Sequence, residues 1–236
     1  MGNLTKNAII VAGGVGSRSG DSLPKQFHQI AGHPMLWWTL RAFADEDRDT
    51  RLIVVMHPDF MSYWQEIAGA DCPVHETVAG GSTRTASVAA GLSLIPEGEN
   101  GLVAVHDAAR PLADTQLIKA GWESAAIYGA AIPAIPVSDS LRRGTPEKSV
   151  SVDRKEFFAV QTPQVFDIGM LKQAYAAAAD AEGTSFTDDA SVVEWFGKEV
   201  RLFEGSPGNI KVTYPGDFLI AATLLSKTPS QKNIRQ

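Results

Sequence analysis

Short, almost wholly apolar runs alternate along this chain with longer segments whose apolar residues recur at helical spacing. The short runs are NAIIVA (Asn7 to Ala12), RLIVVM (Arg51 to Met56), GLVAVH (Gly101 to His106) and AAIPAIPV (Ala130 to Val137), with VHETVA (Val74 to Ala79) as a more polar one. The segments between them predict helices from His33 to Ala44, Asp59 to Ala68, Thr83 to Ile95 and Asp114 to Gly129. A strand that is apolar on both faces needs cover on both faces, and strands separated by helices lie parallel in one sheet. The pattern therefore predicts an α/β fold, a mostly parallel sheet with helices on both faces. Such sheets bind ligands beyond the carboxyl ends of their strands, which directs attention to the loops after Ala12, Ala79, His106 and Val137.

The alternation breaks at SDSLRRGTPEKSVSVDRKEFF, residues 138–158. This stretch is polar, carries a turn signal from Gly144 to Pro146, and alternates Val150 and Val152 with polar residues. It predicts a hairpin arm projecting from the sheet. The chain returns through TPQVF, a helix ending near Ala179, a helix from about Asp188 to Phe196, a strand NIKVT (Asn209 to Thr213) and a last helix from Pro215 to Ser226. The tail after Lys227 is expected to fray. No internal repeat occurs, and 236 residues suit a single domain with an appendage.

Composition narrows the class. Hydrophobic residues make up 44% and charged residues 20%, enough apolar mass for a large core. A net charge of −6 argues against a broad nucleic-acid surface but leaves room for a locally basic anion site. Cys72 is the sole cysteine, which excludes an internal disulfide and a cysteine-rich metal site. The apolar runs are far shorter than a membrane span, the N-terminus lacks a signal-peptide pattern, and Lys6 stands where a myristoylation motif needs Ser or Thr. A cytoplasmic protein with neither membrane nor nucleic-acid partners is expected.

The stretch IIVAGGVGSRSGDSLPKQF (Ile9 to Phe27) holds the candidate chemistry. The dinucleotide fingerprint G-x-G-x-x-G fails, because Ser19 occupies the third position counted from Gly14 and Gly16. The P-loop pattern fails because there is no Gly-Lys pair. What remains is a glycine turn followed by Arg18 and by Pro24-Lys25. Gly13, Gly14 and Gly16 can present consecutive backbone N–H groups to an anion, and Arg18 and Lys25 add fixed cations suited to charge building on phosphate oxygens. The alternative, a tight strand–helix turn with solvated basic side chains, is the less favoured reading of the same residues.

That segment resembles the nucleotidyltransferase pattern G-G-x-G-x-R-(x)n-P-K. Further segments appear in the order found in the 2-C-methyl-D-erythritol 4-phosphate cytidylyltransferase family: AGGSTRTASVAAGL (Ala79 to Leu92), VHDAARP (Val105 to Pro111), VDRKEFFAVQTPQVF (Val152 to Phe166), TDDAS (Thr187 to Ser191) and EGSPGNIKVTYPGD (Glu204 to Asp217). The resemblance spans nearly the whole chain. It implies a Rossmann-like sheet and transfer of a cytidylyl group from CTP to a methylerythritol phosphate with release of pyrophosphate.

Residue by residue, the resemblance assigns transition-state stabilisation to Arg18 and Lys25 and placement of the substrate phosphate to Arg154 and Lys211. CTP would meet Ala12, Gly13, Gly14 and Gly16 through its phosphates, and Gly81, Ser82, Arg84 and Ser87 through its nucleoside. The sugar phosphate would meet Asp107, Arg110, Ser140, Arg154, Thr162, Thr187 and Lys211. Asp107 would also hold Mg²⁺ or another divalent cation, since it follows a strand at the ligand-binding edge of the sheet and a carboxylate suits that ion. Read alone, Asp107 could instead cap the next turn, and Ser82 the helix that follows. His106, a lone histidine at a strand end, is expected to be a packed polar residue outside the site. The chain departs from common forms of the family at Ser82, where Asp occurs, at Ser140, where Thr is frequent, and at Ser19, where Met often follows the arginine. The resemblance further implies a homodimer in which the arm reaches the neighbouring subunit's site. Two rival functions share these features: a ribitol 5-phosphate cytidylyltransferase, and a nucleotide-binding regulator without catalysis.

Overall fold

The apolar strands pack because their alternate residues serve opposite sides of one sheet. In the computed structural model, which describes residues 4–14, 23–179 and 185–227, β1 (Thr5–Ala12) lies between β4 (Arg51–Met56) and β6 (Gly101–Asp107), parallel to both. From β1 the odd-numbered Ile9 turns to one face and Ala8 and Ile10 to the other. The second face is covered by α1 (Met35–Glu46), α2 (Met61–Ile67) and, beyond them in sequence, α4 (Thr115–Tyr128), through Leu36, Leu40, Trp64, Ile118 and Trp122. The first is covered by α3 (Arg84–Ser93), α5 (Ile168–Ala179) and α6 (Asp189–Trp195), through Val88, Leu92, Leu171 and Val192. Burying one such large side chain is worth about 1.5–3 kcal/mol, so both faces of the sheet contribute.

The sheet order is β10-β7-β11-β6-β1-β4-β5, with β12 also paired to β7. Here β5 is Glu76–Ala79, β7 Ala130–Pro136, β10 Phe158–Val160, β11 Gln164–Asp167 and β12 Arg201–Glu204. Strands β10 and β11 run against their neighbours, so the sheet is mixed but mostly parallel. From β1 the chain builds outward through β4 and β5, then returns to place β6 on the other side of β1. The carboxyl ends of β1 and β6 flank that reversal, where an open α/β sheet leaves a crevice. No described helix is long and apolar enough to cross a membrane.

Several elements refine the sequence expectation. The first helix starts at Met35 because a small hairpin precedes it: β2 (Gln29–Ile30) and β3 (His33–Pro34) join through Ala31 and Gly32, both at positive φ. The arm is present as β8 (Leu141–Gly144) paired with β9 (Ser149–Val152), apart from the main sheet. The expected strand NIKVT is a correction. Its backbone is drawn into local and loop contacts, Ile210 N–H to Gly208 O at 2.9 Å and Val212 N–H to Ala109 O at 2.8 Å, and the last strand is RLFE instead. A final helix, α7 (Pro215–Lys227), closes the described chain. The tail beyond it lies outside the described residues.

Candidate active site

A cavity of about 320 Å³ opens at the carboxyl ends of β1 and β6. The register that pairs Val11 with Asp107 brings the glycine turn and the β6 terminus side by side. Ala12, Gly13 and Gly14 form one wall. Gln26, buried in the short 3-10 turn Lys25–Phe27, braces that wall by donating to Ala12 O at 2.6 Å and to Gly14 O at 3.0 Å. Gly16 and Arg18 lie outside the described residues.

The opposite wall is the turn from β5 into α3, with Gly81, Ser82, Arg84 and Ser87 on the lining. Gly81 is required by close packing: a Cβ there would stand 2.4 Å from the Ala86 Cβ. The cap of α3 is Thr83, whose side chain accepts from Ala86 N–H at 3.0 Å, so Ser82 is not the cap. Ser87 donates its hydroxyl proton to Thr83 O at 2.9 Å, which leaves its oxygen as an acceptor on the cavity wall.

Asp107 and Lys211 occupy the floor with Lys25 beside them. Lys211 Nζ stands 2.7 Å from Asp107 Oδ2, Arg84 Nε 3.8 Å from Oδ1, and Arg110 Nε 4.0 Å from Oδ2. Burial alone would push the Asp107 carboxyl up. The charges of Lys211 and Arg84, together with the Lys211 hydrogen bond, outweigh burial and hold it below its ordinary range. Asp107 thus stays ionised in a cavity whose cations outnumber its carboxylate. Lys25 donates to Val212 O at 2.7 Å, which ties the glycine loop to the NIKVT segment that carries Lys211.

Directly behind the floor, Asp107 N–H donates to Thr162 Oγ1 at 3.1 Å, Thr162 pairs with His106 Nδ1 at 3.1 Å, and His106 Nε2 meets Arg110 O at 3.1 Å. A carbonyl can only accept, so Nε2 carries the proton and Nδ1 receives the threonine hydroxyl. Burial pushes this imidazole down to about 4. His106 is therefore a packed neutral group outside the cavity, as its position in the sequence suggested. Thr162 is buried with its hydroxyl committed to this chain of bonds, and Arg110 donates to Asn209 O at 2.8 Å. Both support Asp107 and Lys211 from behind. Ser140, Arg154 and Thr187 are exposed and do not line this chain's cavity; Arg154 bonds back to Ser138 O within the arm.

Two residues not anticipated from the sequence complete the site. Besides Gln26, the fully buried Asp189 receives Arg84 Nη2 at 2.6 Å and the Tyr175 hydroxyl at 2.5 Å. A polar Asp-Asp pair signals a helix start, and α6 does begin there, but nothing local foretells that the second carboxylate turns inward.

Among the described residues no cluster of three or more His, Cys, Asp or Glu could cage a metal. A single strand-end carboxylate facing a glycine turn is the donor set expected for a hard cation that keeps its waters and takes its other ligands from phosphates. Asp107 fits that use.

The family model described as IspD, 2-C-methyl-D-erythritol 4-phosphate cytidylyltransferase, matches residues 7–227. The chain belongs to this family. A 2-C-methyl-D-erythritol 4-phosphate cytidylyltransferase from Bacteroides thetaiotaomicron is 42% identical over 225 residues, covering 94% of this chain and 100% of the relative. One from Porphyromonas gingivalis is 43% identical over 222 residues, covering 93% and 97%. The crystal structure of the Thermus thermophilus enzyme of that name superposes with a TM-score of 0.79 at 34% identity, over 94% of this chain and 100% of that one. The mixed, mostly parallel sheet is thus the cytidylyltransferase fold, and the cavity at its switch point is lined by the glycine turn after β1, AGGSTRTASVAAGL and VHDAARP, segments on which the family resemblance rests.

Proposed function

We infer that this protein is a nucleotidyltransferase that joins CTP to 2-C-methyl-D-erythritol 4-phosphate, yielding 4-diphosphocytidyl-2-C-methyl-D-erythritol and pyrophosphate in non-mevalonate isoprenoid synthesis, with the cytoplasm as its location. The observation that carries the reading is the cavity itself, in which the glycine turn, Lys25, Arg84, Lys211 and Asp107 converge at the β1–β6 switch point in a chain of this family.

An oxygen of the polyol phosphate attacks the α-phosphorus of CTP; a new P–O bond forms and the bond to the β-phosphate oxygen breaks, so pyrophosphate leaves. The attacking phosphate is already ionised near neutral pH, so no side chain needs to remove a proton. Gly13 and Gly14 offer backbone donors to the triphosphate, and Gly16, by the family resemblance, adds another. Lys25 and Arg18 stabilise the charge that gathers in the transition state. Gly81, Ser82 and Ser87 supply polar groups for the cytosine edge and a confined wall that disfavours purines. Lys211 changes partner from Asp107 to the incoming phosphate. Mg²⁺, held by Asp107 with the triphosphate, would supply charge neutralisation and orientation.

Of the remaining assigned residues, Arg110 and Thr162 brace Asp107 and Lys211 from behind, Ser140 and Arg154 sit on the arm, and Thr187 is exposed on another loop. We place the arm in a homodimer, where it reaches the neighbour's cavity and brings Arg154 and Ser140 to the polyol phosphate. What supports this is the apolar surface that the isolated chain leaves uncovered along the arm and the strand after it: Val150, Phe157, Phe158 and Val160.

The test is pyrophosphate release from each of the four nucleoside triphosphates, with methylerythritol 4-phosphate and with ribitol 5-phosphate as acceptors. CTP with the methylerythritol acceptor should dominate. Preference for ribitol 5-phosphate would move the assignment to the rival polyol, and CTP binding without release from either acceptor would leave a nucleotide-binding regulator.

A further inference from the structure

The buried Asp189 carries a charge that the proposed chemistry does not use. Its Oδ2 takes Arg84 Nη2 at 2.6 Å and its Oδ1 takes the Tyr175 hydroxyl at 2.5 Å. Its own backbone N–H and that of Ala190 donate to Gln164 Oε1 at 3.1 and 3.0 Å, while Gln164 Nε2 donates to Asp188 at 2.8 Å. Asp189, Tyr175 and Gln164 are all buried, and they arrive from α6, α5 and β11. A carboxylate without solvent is stable only when paired and hydrogen-bonded, so this one dictates where the Arg84 guanidinium sits.

Arg84 in turn lies between two carboxylates. One edge closes on Asp189, while its Nε remains 3.8 Å from Asp107 Oδ1. Among the described residues the nearest remaining anion for Arg84 without Asp189 is Asp107, and a bidentate arginine–carboxylate pair would occupy the one acidic group that they place on the cavity lining. We propose that Asp189 and Tyr175 are positioning residues that hold Arg84 on the cavity wall and off Asp107, keeping the site open for the triphosphate and its cation. This deepens the CTP reading and rests on it.

The consequence is a specific dependence: Asp189 and Tyr175 should influence CTP only through Arg84. A double-mutant cycle reads that directly, by calorimetric titration of CTP with Mg²⁺ into the whole protein without any polyol phosphate. In the native background Asp189→Asn should weaken binding about tenfold and Tyr175→Phe by a smaller factor. In an Arg84→Gln background neither change should weaken it further. In turnover the Asp189→Asn effect should fall on KM for CTP more than on kcat. Thermal melting gives a second readout independent of nucleotide: Arg84→Gln alone strands a buried carboxylate, so it should melt lower than Arg84→Gln with Asp189→Asn.

Weakening by Asp189→Asn or Tyr175→Phe of equal size in both backgrounds would make the pair merely structural and overturn the proposal. So would unchanged affinity in the native background. If Asp189→Asn does not fold, the Tyr175→Phe arm of the cycle decides alone by the same criteria. Failure of the native protein to bind CTP at all would instead defeat the cytidylyltransferase reading, and this inference with it.

Discussion

Lys25 on the cavity lining and His106 behind it show how differently two basic residues can be used. Lys25 lines the cavity and, through Val212 O, joins the two segments that flank it. Lys25→Ala should lower kcat by about 10²–10³ with a smaller effect on CTP binding, the usual loss when one electrostatic contact to a transition state is removed. A raised KM at unchanged kcat would contradict that role. His106 is instead held neutral by burial, with a pKa near 4. The unfolded chain takes up its proton near pH 6.5 while the folded chain does not, so the stabilisation is complete above that pH and lost as pH falls toward 4. At the acid end this amounts to about 3 kcal/mol. Urea unfolding without divalent cations, at pH 7 and at pH 4.5, should show a shallower pH slope for His106→Gln than for the native protein; equal slopes would mean that other groups carry the acid sensitivity.

At the scale of elements, α6 is seven residues long, too short to persist without its cap and its packing. Asp188 accepts from Ser191 N–H at 3.0 Å in a capping box and also receives Gln164 Nε2 at 2.8 Å. Asp188→Ala removes the cap and leaves a buried amide donor unpaired, so a loss of about 1–2 kcal/mol is expected; Asp188→Asn keeps the cap oxygen but sets its own NH2 against the Gln164 amide, so it recovers only part of that loss. Denaturant midpoints at constant m-value check this, and a neutral Asp188→Ala would show that packing alone holds the helix. The element matters to the site because the next residue, Asp189, is the anchor for Arg84.

For the whole molecule, the arm separates two arrangements of the site. Arg154 does not reach the cavity of its own chain, whereas Lys211 lines it. If the arm serves a neighbour, dissociating and mixing inactive Arg154→Ala and Lys211→Ala chains makes half the dimers mixed, each with one intact site and one doubly damaged site. About a quarter of native activity should then return. If both residues serve one subunit's site, every site lacks one of them, and mixing recovers nothing beyond the two separate mutants.

The apolar runs by themselves determined the strand cores, the helices between them and the sheet edge at which the cavity opens. Hydrophobic periodicity is a local property, and β4 matches the predicted run from Arg51 to Met56 in both bounds. The glycine turn and Asp107 were legible as cavity lining for a related reason: they stand at the ends of strands, and Lys25 lines the cavity from the short turn that follows in sequence. Only the tertiary structure decided where charge and hydrogen bonds are spent. NIKVT has the alternation of a strand, yet its N–H groups bond to neighbouring loops, and RLFE pairs with β7 instead. Asp189 reads as an exposed helix-start acid and is fully buried, because Arg84, more than a hundred residues earlier in the chain, supplies its countercharge. Thr162 reads as a ligand hydroxyl and is committed to Asp107 and His106. Pattern along a chain specifies which residues must leave water; which polar partners then meet depends on distances that exist only once the sheet is assembled.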